Sequence, residues 1–234
     1  MQSKTTCLGQ IRRQEPFTSV KSSDWLTVDP LGHALHWAAH QIRPKRLLDI
    51  GCGNQPYRAW FPSVSYYVGC DVTSLNNLAD LVAHADIGVP LSDRTFDTIL
   101  CTQVLEHLID PCTLFSESHR ILEDDGWLIL SAPMYWPHHE EPHDYYRFTR
   151  HGLQFMLTKF GFRVVRVIQQ GGAWRVTGQA LALSIDRALP HRTYGIKAGT
   201  MLILNRLFAW LDKVNYQEGD TTNFVVLAQK VHNG

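Results

Sequence analysis

Leu47-Leu48-Asp49-Ile50-Gly51-Cys52-Gly53 is a short apolar run that ends in two glycines. The run reads as a buried strand, and the glycines as a tight turn that lets backbone approach a ligand closely. A dinucleotide-binding loop wants another glycine three residues after Gly53, where this chain has Pro56. Asp49 points the same way, because a carboxylate at a strand end sits badly beside a pyrophosphate. It suits a ligand with positive charge, such as an amino-acid ammonium or a sulfonium. Asp71, 20 residues beyond Gly51, closes the next strand, where an acidic group accepts hydrogen bonds from ribose hydroxyls. The pattern fits a nucleoside joined to a cationic amino acid better than it fits NAD.

Outward from this turn, strands and helices alternate. The patterns predict strands at Arg46–Ile50, Tyr66–Cys70, Leu81–Ala85, Phe96–Thr102 and Trp127–Ala132, the last preceded by a turn at 123–126. Two more follow at Phe162–Ile168 and Asn223–Lys230. Helical patterns occupy Leu31–Ile42, a segment starting at Leu105, Cys112–Leu122 and Leu153–Phe160. About 50 residues before the last strand hold two further apolar helical patterns, Val176–Leu189 and Lys197–Leu211. Such alternation predicts an α/β protein with a parallel sheet covered by helices on both faces. The domain reading is a loose arm over 1–30 and one domain over 31–234, including a substrate loop at 133–150 and a helical insertion at 174–215.

The ordered set Asp49-Ile-Gly51-Cys-Gly53, Asp71, Ala85-Asp86-Ile87, Phe96-Asp97 and Val104-Leu105-Glu106-His107-Leu108 resembles the class I S-adenosylmethionine-dependent methyltransferases. The subgroup it is most similar to includes quinone-biosynthesis and other small-molecule enzymes, and the likeness runs from about residue 45 to 170. The resemblance implies a three-layer, Rossmann-like sheet of seven strands with the last strand antiparallel, and S-adenosylmethionine as cofactor. By that resemblance Gly51, Cys52 and Gly53 contact the methionine portion through backbone groups, with Asp49 nearby through water. Asp71 holds the ribose, and Val72 flanks the adenine. Asp86 accepts from the adenine amine, Ile87 offers a backbone donor, and Gln103 offers its carbonyl to the ammonium. The family often has a third glycine where Gln55 stands; here Gln55-Pro56 is expected to start the following helix. Glu106-His107 reads as a packed part of the subgroup's helix.

Pro133–Thr149, dense in Pro, His and aromatic residues, follows the fifth strand, where open α/β sheets bind ligands. It resembles a P-x5-H-x2-P-x-D-Y-x-R-x-T segment of many bacterial methyltransferases. Methyl transfer is an in-line displacement at a sulfonium, and a base is needed only for a protonated acceptor. His139 is the candidate base, with Asp144 to assist it. Arg147 is read either as a clamp for an anionic substrate group or as the partner of Asp144. Tyr135, Trp136, Tyr145 and Tyr146 are candidate pocket walls. No metal is assigned: Pro137 and Pro142 interrupt the spacing of HHEEPHD, which matches no metal motif.

Balanced charge, with 22 Lys+Arg against 22 Asp+Glu, removes the footprint of a duplex-binding protein, so no DNA partner is expected. No 18-residue apolar run predicts a membrane span. The five cysteines form no CxxC pair and read as reduced thiols of a cytoplasmic protein. The expected activity is methyl transfer to a small-molecule acceptor. An RNA or protein methyltransferase, or a non-catalytic cofactor-binding module, is the alternative. The 174–215 insertion reads as a cap on the sheet domain, with a homodimer interface, a hydrophobic-substrate lid or membrane-surface contact as the other readings.

Overall fold

The computed structural model of the chain describes residues 15–74, 78–190 and 194–231. Residues 1–14 of the expected arm lie outside them. The strands are β1 (Arg46–Ile50), β2 (Tyr66–Asp71), β3 (Leu81–Val82), β4 (Phe96–Thr102), β5 (Leu122–Pro133), β6 (Phe162–Gln169) and β7 (Asn223–Lys230). They form one seven-stranded sheet in the order β3-β2-β1-β4-β5-β7-β6. Pairing is parallel from β3 through β5, and β7 runs antiparallel to both β5 and β6. The order reverses between β1 and β4, the place where an open α/β sheet opens a crevice at its carboxyl edge.

Alternate side chains of the buried strands supply two apolar faces, as the pleat requires. Leu47, Leu100, Ile129 and Val225 meet Leu31, Leu35 and Ala38 of helix α1 (Trp25–Gln41). Leu48, Ile99, Leu128 and Val226 meet the other layer. That layer is built by Leu114 and Phe115 of α2 (Pro111–Ile121) and Leu153 and Leu157 of α3 (Arg150–Lys159). Asp110 caps α2 by accepting from the Cys112 N–H at 2.9 Å, with Pro111 at the first position. The three-layer, seven-stranded architecture is the one expected.

Local differences have physical causes. α1 begins at Trp25, six residues before the expected start, and carries Pro30 inside it. Proline removes one helical hydrogen bond, here the one due to the Leu26 carbonyl. That carbonyl accepts from the Arg175 guanidinium at 3.3 Å instead, so a distant residue makes the proline tolerable. The expected third strand shrinks to Leu81–Val82, which pair only with Cys70 and Asp71. The turn at 123–126 persists as an irregularity within β5: Phe96 pairs with Leu122 but Thr98 with Trp127, and Asp125 has φ 60°. The segment from Leu105 makes only a 3₁₀ turn, Leu105–His107, before Pro111 starts α2. No helix starts at Gln55-Pro56; Gln55 takes φ 54° and a 3₁₀ turn follows at Arg58–Trp60.

The helical insertion forms α4 (Ala173–Ala188) and α5 (Tyr194–Val214). Ala182, Met201 and Leu204 pack around Leu26 at the start of α1. Gln179 accepts from the Thr27 hydroxyl at 3.1 Å and donates to Ser23 O at 2.6 Å. Asn205, fully buried, donates to Val20 O at 2.7 Å and Ser22 O at 2.8 Å. The helical pair therefore caps the N-terminal half of α1 and pins the chain leading into it. Replacing Asn205 by alanine strands those carbonyls, and we expect a loss of about 1–3 kcal/mol in urea denaturation. Faster tryptic cleavage after the exposed Lys21 should accompany it; unchanged stability and cleavage would contradict this role.

Candidate active site

At the reversal of strand order, Gly51 takes φ 71°, and a Cβ there would lie 2.2 Å from Val104 Cγ2. Only glycine lets the turn after β1 meet the turn after β4 this closely. The N–H groups of Gly51 and Cys52 both donate to Cys70 O, at 2.8 and 3.1 Å. The Gly53 N–H donates to Asp71 Oδ2 at 2.9 Å. All three amide donors of the glycine turn are therefore engaged inside the protein. No described N–H donates to the carbonyls of Gly51 or Gln103. Gln103, at φ 55° after β4, donates its side-chain amide to Ser131 Oγ at 3.0 Å and Asn223 Oδ1 at 3.3 Å. Acceptors without donors are what a cationic ligand needs.

Asp49 is 1% exposed and accepts from the Tyr67 hydroxyl at 2.5 Å. Its neighbour across the sheet is Gly69, so no side chain intervenes and Tyr67, two residues earlier on the same face, reaches along the strand. Burial pushes the Asp49 carboxyl up to about 7; the nearby Asp71 charge adds to the rise and the Tyr67 hydrogen bond opposes it. The Arg58 guanidinium lies over the Tyr67 ring, 4.7 Å from its centroid. Tyr67 escaped the sequence reading because a tyrosine in a strand carries no signal of its own. Gln55, in the left-handed conformation that a third glycine would take, donates to Leu78 O at 2.5 Å and accepts from Arg58 at 2.9 Å.

Val72 is half-buried directly after β2, and Asp86 is half-buried in the turn after β3. The Ile87 N–H donates to His84 O at 3.1 Å, so the donor expected for the adenine ring is taken; the side chain, 81% exposed, is what Ile87 presents. A cavity of about 520 Å³ lies beside it, bounded by Ile87–Pro90 and by Thr113, Ser116 and Glu117 of α2. A larger one of about 1050 Å³, between α1, the end of β6 and α5, shares no residue with the candidate site. Cys52, Cys70 and Cys101 are buried thiols; burial pushes Cys70 up to about 11 and Cys101 also upward.

The 133–149 loop closes on itself where Phe148 N–H donates to Pro133 O at 2.9 Å. Asp144, its side chain 2% exposed, pairs with Arg147 through two parallel bonds of 2.7 and 2.9 Å and accepts the His139 N–H at 3.1 Å. The remaining Arg147 donors go to the carbonyls of Trp136, Pro137 and Tyr146. All five N–H groups are thus occupied, so of the two sequence readings of Arg147 the geometry favours the Asp144 partner over the anion clamp. Burial favours a neutral Asp144, but the Arg147 and His139 hydrogen bonds overcome it and hold the carboxyl well below the usual range. The His139 ring does meet Asp144: Nδ1 lies 3.3 Å from Oδ2, outside hydrogen-bond geometry. Burial, then the neighbouring His107, keeps the His139 pKa low, so the imidazole is neutral at pH 7.

The loop is also tied to β4's exit. The Tyr145 and Tyr146 N–H groups donate to Glu106 O at 2.7 and 3.3 Å. Glu106 is fully buried with neither carboxylate oxygen hydrogen-bonded, and burial pushes it up to about 8. His107 and His139 stand edge to face with ring centroids 4.8 Å apart. The spacing of the loop by itself does not reveal this meeting, since the partners come from turns 32 residues apart.

A sheet of this order, with its last strand antiparallel, is the class I methyltransferase arrangement. A methyltransferase-domain family model matches residues 29–167, more than half of the chain. The chain belongs to that family and is an S-adenosylmethionine-dependent methyltransferase. No curated protein matches it in sequence. Among solved structures it is similar to the [4+2]-cyclase SpnF, at TM-score 0.59 and 18% identity over 95% of this chain and 87% of that one. An S-adenosylmethionine-dependent methyltransferase from Mesorhizobium loti gives TM-score 0.53 and 16% identity over 91% and 100%. One from Aquifex aeolicus gives 0.51 and 16% over 89% and 93%. At these identities the likeness is one of fold.

Asp144→Asn keeps the shape but removes the charge that Arg147 holds. We expect a loss of roughly 2–3 kcal/mol at pH 7, below the figure for a fully buried pair because Arg147 is partly exposed. The native carboxyl is depressed, so its stabilisation is complete above about pH 4 and fades as pH falls below that. The gap between the native protein and Asp144→Asn in urea denaturation should therefore narrow from pH 7 to pH 3. A gap independent of pH would reject the pairing.

Proposed function

We propose that this enzyme transfers the methyl group of S-adenosylmethionine to a small-molecule acceptor bound beneath the 133–149 loop. The observation that carries the reading is the chemistry of the crevice between β1 and β4: acceptors without donors. The amides of the glycine turn are engaged, whereas the Gly51 and Gln103 carbonyls accept from no described N–H; the buried Asp49 carboxyl, held by the Tyr67 hydroxyl, stands behind them. Such a set suits the ammonium and sulfonium of S-adenosylmethionine and would repel a phosphate. The residues therefore fit the group. Gly51, Cys52, Gly53 and Gln103 would hold its methionine part, with Asp49 behind them. Asp71, which accepts from the Gly53 and Thr73 N–H groups, would also take the ribose hydroxyls. Val72, Asp86 and the Ile87 side chain would enclose the adenine.

S-Adenosylmethionine supplies an electrophilic methyl, and the protein's part is to align the acceptor and exclude water. His139 faces the acceptor as a neutral imidazole, while Asp144 and Arg147 position it from behind. Tyr135, Tyr145 and Tyr146, each at least 40% exposed, offer walls for the acceptor. Residues 31–234 act in this reading as one methyltransferase unit. A cytoplasmic setting agrees with the four described cysteines being free thiols and with no described helix being long and apolar enough to cross a membrane.

Calorimetric titration with S-adenosylmethionine tests the cofactor site: saturable binding is expected, and Asp71→Ala should weaken it tenfold or more, about 1.5–3 kcal/mol. Absence of binding by the folded native chain would sink the proposal. A second prediction concerns pH. With Asp49 at about 7 in the ligand-free protein, a cationic ligand must draw it into its ionised form and release a proton. Affinity should rise with pH, approaching tenfold per unit well below 7, and flatten above it. Asp49→Asn should abolish that slope, and affinity unchanged between pH 5.5 and 7.5 would refute the role of Asp49.

A further inference from the structure

We propose that Glu106, His107 and His139 bind a divalent first-row metal ion whose open coordination positions take an oxygen of the methyl acceptor. One ligand atom from each residue lies within 4.8 Å of the others. Two come from the 3₁₀ turn after β4 and the third from the loop after β5, so the cluster stands at the carboxyl edge beside the cofactor crevice.

Glu106 carries the argument. Its side chain is fully buried and neither oxygen accepts a hydrogen bond. A carboxylate in that position is costly unless a cation meets it. Arg147 is the nearby cation of the loop, yet its five donors are committed to Asp144 and three carbonyls. His107 supplies an independent sign. Its Nδ1 stands 2.6 Å from His143 O, which fixes the proton on Nδ1 and leaves the Nε2 lone pair for a ligand. Nε2 faces the acids, 4.0 Å from Glu106 Oε1 and 3.9 Å from Glu140 Oε2. A ring nitrogen held by a backbone carbonyl while its twin points at carboxylates is the outer-shell arrangement of metal-binding histidines. His139 lacks such a bond, but its Nδ1 lies 3.3 Å from the Asp144 Oδ2 carboxylate oxygen.

Two imidazoles and a carboxylate suit zinc, manganese or iron rather than magnesium or calcium, which prefer oxygen alone. Donor atoms around a tetrahedral ion with bonds of about 2.1 Å stand about 3.4 Å apart, so the cluster must contract by up to about 1.4 Å from its 4.8 Å spread. Rotation of the His139 side chain about its own torsions would supply the movement. Three protein ligands leave room for one or two more, and the side chains of His107 and His139 are 17% and 26% exposed. The acceptor half of the proposal rests on the methyl-transfer reading; the metal half does not.

The test is titration of the untagged, chelator-treated full chain with Zn²⁺ by calorimetry and with Co²⁺ by visible absorption. One saturable equivalent is expected, with cobalt d–d bands of a nitrogen- and oxygen-ligated site. Glu106→Gln, His107→Ala and His139→Ala should each weaken binding roughly tenfold or more. His138→Ala, on a side chain 83% exposed and outside the cluster, should not. Circular dichroism and S-adenosylmethionine affinity report separately on folding and on the cofactor site. If Glu106→Gln does not fold, the two histidine variants decide. No saturable metal binding by the native chain, or binding that survives both histidine variants, overturns the proposal even where cofactor binding is intact.

Discussion

The close approach of Gly51 to Val104 is the constraint on which the rest of this structure is arranged. Parallel strands β1 and β4 diverge into turns on opposite sides of the sheet's reversal point, and a side chain at position 51 would hold those turns apart. Because it is glycine, the turn folds over, both its leading amides reach Cys70 O, and Gly53 reaches Asp71. These bonds convert a glycine turn, which in phosphate-binding folds presents amide donors, into one that presents carbonyls. The sign of the crevice follows from that, since Asp49 and Asp71 add negative charge to it. Burial pushes the Asp49 carboxyl up to about 7 in the ligand-free protein.

The acceptor side depends on a different kind of interaction. Between β5 and α3 the chain runs through 16 residues, 134–149, without regular structure, and what orders them is a single saturated guanidinium. Arg147 joins Asp144 to the carbonyls of Trp136, Pro137 and Tyr146, so both limbs of the loop converge on one side chain. The Tyr145 and Tyr146 amides then lock the loop to Glu106 O beyond β4. His139 is carried to His107 and Glu106 by this route. Distal to both sites, α4 and α5 brace α1 through Gln179, Asn205 and the Arg175 bond to Leu26 O, which compensates Pro30.

Much of this was legible in the sequence, for reasons specific to each element. Buried strands such as Arg46–Ile50 and Phe96–Thr102 are short, predominantly apolar runs, and they end directly before Gly51 and Gln103. The pattern read at Cys112–Leu122 matches α2 to within a residue at each end. Where a neighbour supplied the missing partner, local reading fell short. The first helical pattern was read only from Leu31, whereas α1 runs through Pro30 because Arg175 satisfies the carbonyl that the proline orphans, and Gln55-Pro56 looked like a helix start although Gln55 is held in a left-handed turn by Leu78 O and Arg58. Tyr67 became visible only once β1 and β2 were in register.

By itself the sequence determined the fold class, the ends of β1 and β4 and the acids, Asp49 and Asp71, that stand near the sheet's carboxyl edge. Each of these follows from residues adjacent in the chain, whose periodicity and turn chemistry act locally. The tertiary structure alone decided which groups face one another across the carboxyl edge. Arg147 commits all its donors to its own loop, the Ile87 amide turns to His84, and Glu106 is buried beside two histidines without a hydrogen bond. Such outcomes depend on the path of a 16-residue loop and on the desolvation it imposes, and neither is encoded in any short stretch of residues.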